Sequence, residues 1–342
     1  MVRTPFNVRV IPAAARLLTL LLIVTCSFVT LPGCSSESGE GASPTPSDGP
    51  LRIVATTGMV GDVVAAVAGE HGEVAVLMKP GVDPHLYKPT RDDIAMIMDA
   101  DAVFYNGLLL EGKMTDTLIR AATSGKPVYA VTELVEESVL LEGDEGEGHP
   151  DPHLWMDPAI WAQTIGVVRD RLSELRPAWS ESFGANAEAY QGAVMGLDAY
   201  AVASVETVSE SQRVLVTAHD AFNYFGSRFG FEVVGIQGIS TESEAGVSDI
   251  ERLVDLLVDR KIGAVFVEST VSERNIKALI AGAAARGHEV AIGGELFSDA
   301  MGEAGTYRGT YVGMIDHNIT TIVSALGGTC PEGGMNGRLG ED

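Results

Sequence analysis

One stretch divides this chain in half and limits the folds open to it. Residues 180–209 contain no proline, are rich in Ala with several Glu, and repeat apolar residues at helical spacing. Such a run predicts a single helix of roughly 30 residues, about 45 Å long at 1.5 Å per residue. On each side of it, short β-branched runs alternate with helical patterns. Ahead of it lie Ile53-Val54-Ala55, Val74-Ala75-Val76-Leu77, Ala102-Val103-Phe104-Tyr105 and Pro127-Val128-Tyr129-Ala130-Val131. Behind it lie Val214-Leu215-Val216, Glu232-Val233-Val234-Gly235-Ile236, Ala264-Val265-Phe266-Val267 and Glu289-Val290-Ala291-Ile292. Strands that alternate with helices build mostly parallel sheets. The expected fold is therefore α/β, with two lobes, each carrying a four-stranded mostly parallel sheet, linked by one long rigid helix. Two helix starts are also expected, at Thr90-Arg91-Asp92-Asp93 and at Ser248-Asp249-Ile250-Glu251, where a hydroxyl precedes a carboxylate by three residues.

The ends of the chain do not belong to this pattern. Arg3, Arg9 and Arg16 precede an apolar run from Leu17 to Val29 that is short for a bilayer span, and Leu31-Pro32-Gly33-Cys34 follows. A small residue before Cys after an apolar run resembles a bacterial lipoprotein processing site. Residues 1–33 are expected to be a lipoprotein signal peptide, with lipid on Cys34 as a membrane anchor. Residues 34–50, mostly Ser, Gly, Pro and acid, are expected to form a flexible tether. The remaining divisions are an N-terminal lobe at 51–179, the linking helix at 180–210, a C-terminal lobe at 211–327, and a Gly-rich disordered tail at 328–342.

Charge and cysteines exclude whole classes of function. A formal charge of −24, from 23 basic and 47 acidic residues, argues against nucleic acid, which needs a basic face. Of the three cysteines, Cys26 leaves with the signal and Cys34 takes the lipid. Only Cys330 remains, so neither an internal disulfide nor a thiolate zinc site is available, and any metal must use imidazoles and carboxylates.

Those groups occur in an unusual pattern. Asp-Pro-His-Leu appears at residues 83–86 and again at 151–154. In each copy proline fixes its own φ and favours extended geometry at the preceding Asp, so the His stands on a stiff turn. One such tripeptide is an ordinary turn; two copies suggest a pair of ligands. His219 follows directly on the strand that begins at Val214, and Asp299 lies in a loop after the last strand. His85, His153, His219 and Asp299 thus all come after carboxyl ends of strands, where ligands gather in open α/β sheets. Three imidazoles and a carboxylate suit zinc, or manganese if the carboxylate binds through both oxygens. There is no H-E-x-x-H, and four protein ligands leave no place for a catalytic water, which points to capture rather than catalysis. His71, His149, His288 and His317 are expected to be structural or solvated. The acidic segment 142–150 reads as a solvated loop.

The motifs GVDPHLYKPT, YNGLLLE, DPHLWMDP, TAHDAFNYF, GIQGIST-E-SEA and GGELFSDAMG, in that order, resemble the zinc- and manganese-binding lipoproteins of ABC transporters, the cluster A-I solute-binding family. The resemblance runs from about Leu51 to Leu326. It implies two lobes on a rigid helix with metal between them, and it places the ligands at His85, His153, His219 and Asp299. His219 at the third position is similar to the zinc and mixed zinc/manganese branch, whereas members with Glu there typically bind manganese. The short EGDEGEGH segment departs from the long His-rich loop of zinc-specific members and keeps manganese open.

The resulting expectation is a monomeric, extracytoplasmic lipoprotein of the cell envelope or periplasm. It captures Zn²⁺ or Mn²⁺ and delivers it to an ABC permease, with affinity falling as pH drops through about 6–6.5. Competing readings are an adhesin or host-interaction protein, a zinc hydrolase using Glu295 as base, and a siderophore or cobalamin receptor.

Overall fold

The computed structural model describes residues 49–143 and 149–341. The expected signal peptide, Cys34, nearly all of the tether and the centre of the acidic loop lie outside the described residues. Among the described residues, no helix is long and apolar enough to cross a membrane.

The first lobe carries β1 (Leu51–Ala55), α1 (Gly58–Ala68), β2 (Gly72–Val76), α2 (Arg91–Asp99), β3 (Ala102–Tyr105), α3 (Thr115–Thr123) and β4 (Val128–Ala130). Its four strands are parallel in the order β2-β1-β3-β4, so the chain reverses direction across the sheet beside β1. Loops leaving the carboxyl ends of the strands therefore converge on one edge of the lobe. Thr90 and Asp93 form the expected reciprocal cap on α2: the Asp93 backbone N–H donates to Thr90 Oγ1 at 3.2 Å, and the Thr90 N–H donates to Asp93 Oδ2 at 2.7 Å.

Two long helices follow, α4 (Pro158–Leu175) and α5 (Ser180–Val205). Asp157 caps α4 by accepting from the N–H groups of Ala159 (2.8 Å) and Ile160 (3.3 Å), with Pro158 in the first turn where its missing N–H costs nothing. The same motif that carries His153 thus also starts this helix. The expected linking helix is α5. Its 26 residues span about 39 Å at 1.5 Å per residue, four residues short of the expectation. It stops at Val205, where Thr207 Oγ1 donates to the Ser204 carbonyl at 2.6 Å and the chain turns into the second lobe.

That lobe holds β5 (Val214–His219), α6 (Asn223–Phe229), β6 (Glu232–Gln237), α7 (Val247–Arg260), β7 (Ala264–Glu268), α8 (Arg274–Ala285), β8 (Ala291–Leu296) and α9 (Tyr311–Ala325). The four expected strands are present with β5 beside β7, but the parallel ladders fall into two pairs, β5-β6 and β7-β8. At the carboxyl end the two pairs are joined by a side chain: the His219 N–H donates to Glu268 Oε1 at 2.9 Å. Gly235 is required here, because a Cβ would stand 2.7 Å from the backbone nitrogen of Asp220, the residue after His219. Helix α7 begins two residues earlier than expected. Gly246 is its cap, and the Gly246 N–H donates to Asp249 Oδ2 at 3.1 Å, so Gly246 and Asp249 take the places expected of Ser248 and Glu251.

One continuous apolar core joins the lobes. It takes Leu51, Val63 and Phe104 from the first, Trp161 and Leu172 from α4, Phe183 and Leu197 from α5, and Phe266, Tyr311 and Ile319 from the second. Arg228 on α6 adds a two-pronged pair to Asp198 on α5 (2.9 and 2.6 Å), which suits the planar guanidinium. A shared core of this kind resists wide hinge motion, since opening it would expose apolar surface at roughly 25 cal/mol per Å².

The expected disordered tail is a correction. Residues 328–341 fold back on α9 because Asp316, fully buried on that helix, needs donors. The Met335 N–H donates to both its oxygens (2.9 and 3.0 Å), and Tyr307 Oη donates to Oδ2 at 2.9 Å. The glycines make the approach feasible: Gly334 has φ +79°, and a Cβ there would lie 2.5 Å from Asp316 Oδ1.

Candidate metal centre

Each of the four expected ligands is delivered by a separate piece of local structure. Beyond β2 the chain stays extended, with Leu77 and Met78 donating to the carbonyls of Ala55 and Thr56 at 3.0 and 2.9 Å. It then turns at Asp83, whose Oδ1 accepts from the His85 backbone N–H at 2.9 Å. The second copy makes the same turn: Asp151 Oδ1 accepts from the His153 N–H at 2.9 Å. That oxygen also meets His153 Nδ1 at 2.7 Å, while Asn223 Nδ2 donates to Oδ2 at 3.1 Å. Asn106 Nδ2 steadies the turn by donating to the Pro152 carbonyl at 3.0 Å. His219 is the last residue of β5, and its Nδ1 hydrogen-bonds Glu268 Oε2. Asp299 sits in the loop between β8 and α9. Its neighbour Ser298 accepts from Trp155 Nε1 at 2.8 Å, and Asn318 brackets the backbone of Phe297 at 2.9 and 2.7 Å.

These elements bring one atom from each residue to within 4.8 Å of all the others. The three imidazole rings surround a common point, with centroids 5.5, 5.5 and 6.0 Å apart. Asp299 Oδ1 lies 3.4 Å from His153 Nε2; Oδ2 lies 3.2 Å from His219 Nε2 and 3.8 Å from His85 Nε2. All four residues are buried, yet the three Nε2 atoms and both Asp299 oxygens have no hydrogen-bond partner among the described residues. Burying a polar atom unpaired costs roughly 1–3 kcal/mol, and five converging atoms in that state have an arrangement that one cation would satisfy.

The charges around the site are set by its carboxylates. Burial pushes His153 down, but the charge and hydrogen bond of Asp151, with Asp299, outweigh it and hold the imidazole at about 9. Burial likewise opposes the proton on His219, and Glu268 with Asp299 overcomes it, raising the group well above its ordinary value. His85 goes the other way. Burial lowers it to about 3, with the attraction of Asp299 only partly offsetting this and the two other imidazoles adding to it. Burial would raise Asp299, yet His219 and His153 hold it well below the usual carboxylate range.

The other histidines are elsewhere. His71 stacks on Trp179 at 4.6 Å, His149 is exposed, His288 Nε2 pairs with the Ile262 carbonyl at 2.7 Å, and His317 Nε2 with that of Glu295 at 2.9 Å. Glu295, which a hydrolase would need as base, is exposed and outside the ligand cluster. Sequence reasoning assigned no role to Glu268 or Glu111. Glu268 announces itself as a charged residue ending a fully buried strand. Glu111 accepts from Thr56 Oγ1 (2.7 Å) and from the N–H groups of Asn106 (2.7 Å) and Gly107 (3.1 Å). It thereby pins a loop in which Leu108 and Leu109 are left-handed (φ 50° and 64°), and so aims Asn106 at the His153 turn.

Comparison with known proteins agrees with this geometry. The family described as zinc-uptake complex component A, periplasmic, matches residues 53–325. The manganese-binding lipoprotein MntA of Bacillus subtilis (strain 168) is 44% identical over 307 residues, covering 90% of this chain and 98% of that protein. The zinc-binding protein TroA of Treponema pallidum (strain Nichols) is 44% identical over 286 residues, covering 84% of this chain and 92% of that protein. The solved structure of the periplasmic zinc-binding protein TroA from Treponema pallidum superimposes with a TM-score of 0.79, covering 81% of this chain and 99% of that one. A two-lobed α/β fold on a long helix, a match across most of the described residues and relatives of this identity agree: the chain belongs to the zinc-uptake complex component A family.

Proposed function

We propose that this protein captures Zn²⁺ or Mn²⁺ outside the cytoplasm and delivers it to the permease of an ABC importer, with His85, His153, His219 and Asp299 as the metal ligands. One observation carries the reading. Five buried donor atoms from these residues face one point without a partner, and a divalent cation would satisfy all of them together. The relatives named as manganese- and zinc-binding proteins support the same cargo. Four protein ligands would complete a tetrahedral zinc shell and leave no open position for a bound nucleophile, which favours binding over hydrolysis.

Metal choice follows from the carboxylate. Each Asp299 oxygen faces a different imidazole, so a tetrahedral ion would use one oxygen and a larger coordination shell both. The site as built serves zinc and manganese alike, in keeping with relatives of equal identity named for each metal. In this reading Cys34 carries the lipid anchor, residues 34–50 tether a monomer to the membrane, and the two metal-binding lobes meet at the α5 spine.

Calorimetric titration of metal-stripped protein tests the proposal. His219→Ala or Asp299→Ala should weaken Zn²⁺ and Mn²⁺ binding by orders of magnitude, and His317→Ala should leave it unchanged. Equal binding by wild type and Asp299→Ala would overturn the ligand set. Elemental analysis of protein from its native host would name the metal.

A further inference from the structure

Three of the four ligands are oriented by a neighbouring carboxylate on the ring or by bracketing backbone contacts; His85 is not. Its turn is shaped by Asp83 Oδ1 alone, through the backbone N–H. The other oxygen of that carboxylate is engaged from across the cleft, where Thr241 Oγ1 donates to Asp83 Oδ2 at 2.6 Å. Thr241 belongs to the segment between β6 and α7 in the second lobe, and it is buried. The segment is curled by Gln237 Nε2, which donates to the Ser243 carbonyl at 3.0 Å from the end of the strand paired with His219. A second inter-lobe contact lies one residue on, where Lys113 Nζ meets Glu242 Oε1 at 2.8 Å. Leu86, directly after His85, is half exposed, so the turn lies at the surface of the cleft.

Resting on the ligand set above, we infer that Thr241 is a positioning residue which, through Asp83, holds His85 on the metal, and that release begins when this hydroxyl leaves Asp83. The physical basis is that one carboxylate serves both tasks. Separation of the lobes at this edge removes the Thr241 donor, frees the Asp83 side chain to rotate, and loosens the one side-chain hydrogen bond that, among the described residues, shapes the His85 turn. His153 and His219 keep their ring partners through such a motion, because Asp151 and Glu268 are two residues away or in the adjacent strand. A shared core that resists wide opening makes a local unlatching of this kind the cheaper route. The surface pair Lys113–Glu242 guides closure and carries little of the energy, as exposed ion pairs generally do.

Stopped-flow measurement of Zn²⁺ dissociation into excess chelator tests this. Thr241→Val, nearly equal in shape, should raise the dissociation rate about tenfold, the order expected for a lost hydrogen bond to a carboxylate. It should leave the association rate unchanged. Thr241→Ser, which keeps the hydroxyl, should restore slow release. In an Asp83→Asn background Thr241→Val should add less than about twofold, because the two residues act as one unit. A wild-type dissociation rate in Thr241→Val, release from Thr241→Ser as fast as from Thr241→Val, or full additivity with Asp83→Asn would each overturn the latch. Failure of the ligand reading is a separate result, since it would appear as weak Zn²⁺ binding by the wild type itself.

Discussion

The two Asp-Pro-His-Leu turns have the same four residues, the same Asp-to-His backbone hydrogen bond and the same destination, yet they leave their imidazoles in opposite states. At 151–154 the carboxylate reaches the ring, and His153 holds its proton to about 9. At 83–86 the carboxylate turns to Thr241 in the other lobe, and His85 stays neutral down to about 3. One copy is a fixed, charged anchor sunk among Asp151, Asn223 and Tyr224. The other is a neutral arm attached at one point. Identical local sequence thus builds one imidazole fixed in place and one whose place depends on how the lobes meet.

Removing each ligand gives the largest contrast. Both His153→Ala and His85→Ala should lower metal affinity by orders of magnitude, but their effects on the metal-free protein should diverge. His153→Ala leaves Asp151 buried without its cationic partner, a defect that costs about 3–5 kcal/mol. His85→Ala removes a neutral ring with an unpaired nitrogen and should change stability by less than about 1 kcal/mol. Urea unfolding of the two metal-free variants measures the difference. Equal destabilisation would mean that the turns are electrostatically equivalent after all.

How far the sequence foretells this centre depends on the range of the interaction. The four converging residues are legible because each is announced locally, by a proline-stiffened turn or by a place just after a strand. The eight strands and the long helix are legible for a similar reason, since periodicity and the absence of proline are local signals. Glu268 is another matter: it lies 49 residues from His219, and its role exists only because β5 and β7 lie side by side. The same holds for Thr241, 158 residues from Asp83. The Gly-rich tail is misread for a related reason. Its composition suggests disorder, and the buried Asp316 that captures Met335 lies 19 residues back, on α9.

The pH dependence gives the next largest effect. A metal needs bare Nε2 atoms, and in the metal-free protein His153 and His219 are held protonated, one to about 9 and the other well above its ordinary value. Affinity should therefore fall as pH drops from about 9, rather than only through 6–6.5, by about tenfold per pH unit for each proton displaced. His85, already neutral, contributes no proton. Calorimetry near pH 7 in buffers of different ionisation enthalpy should count about two protons released. Asp151→Asn removes the counter-charge that opposes burial at His153, so the count should fall by one while affinity weakens by about 10–100-fold. The sign reverses for folding. With their pKa values raised in the folded state, these two imidazoles stabilise the metal-free chain fully below about 6.5; His153 loses that contribution as pH rises through about 9, and His219 loses its own as pH climbs well above the ordinary histidine range. A metal-free melting temperature that rises over that interval would contradict the assignment.

The smallest effect isolates the turns themselves. Pro84→Ala and Pro152→Ala each give the unfolded chain more freedom, worth about 0.4–1 kcal/mol of stability in both cases. Their effects on metal binding should differ. The second turn remains clamped without its proline: Asp151 holds both the backbone and the ring of His153, Asn106 holds the residue 152 carbonyl, and Tyr224 Oη donates to the Asp151 carbonyl at 2.9 Å. Pro152→Ala should therefore keep metal affinity within about twofold of wild type, since fixed partners already exclude other geometries. The first turn relies on proline stiffness and one carboxylate, and Pro84→Ala lets the His85 turn sample conformations that must be frozen again on binding. An affinity loss of about two- to fivefold follows if most of that flexibility, below 1 kcal/mol, is paid at the binding step. Chelator competition resolves differences of this size. Equal losses in the two variants would show that the carboxylate partners, and not the proline, are irrelevant to how the turns differ; a larger loss for Pro152→Ala would reverse the roles of anchor and arm.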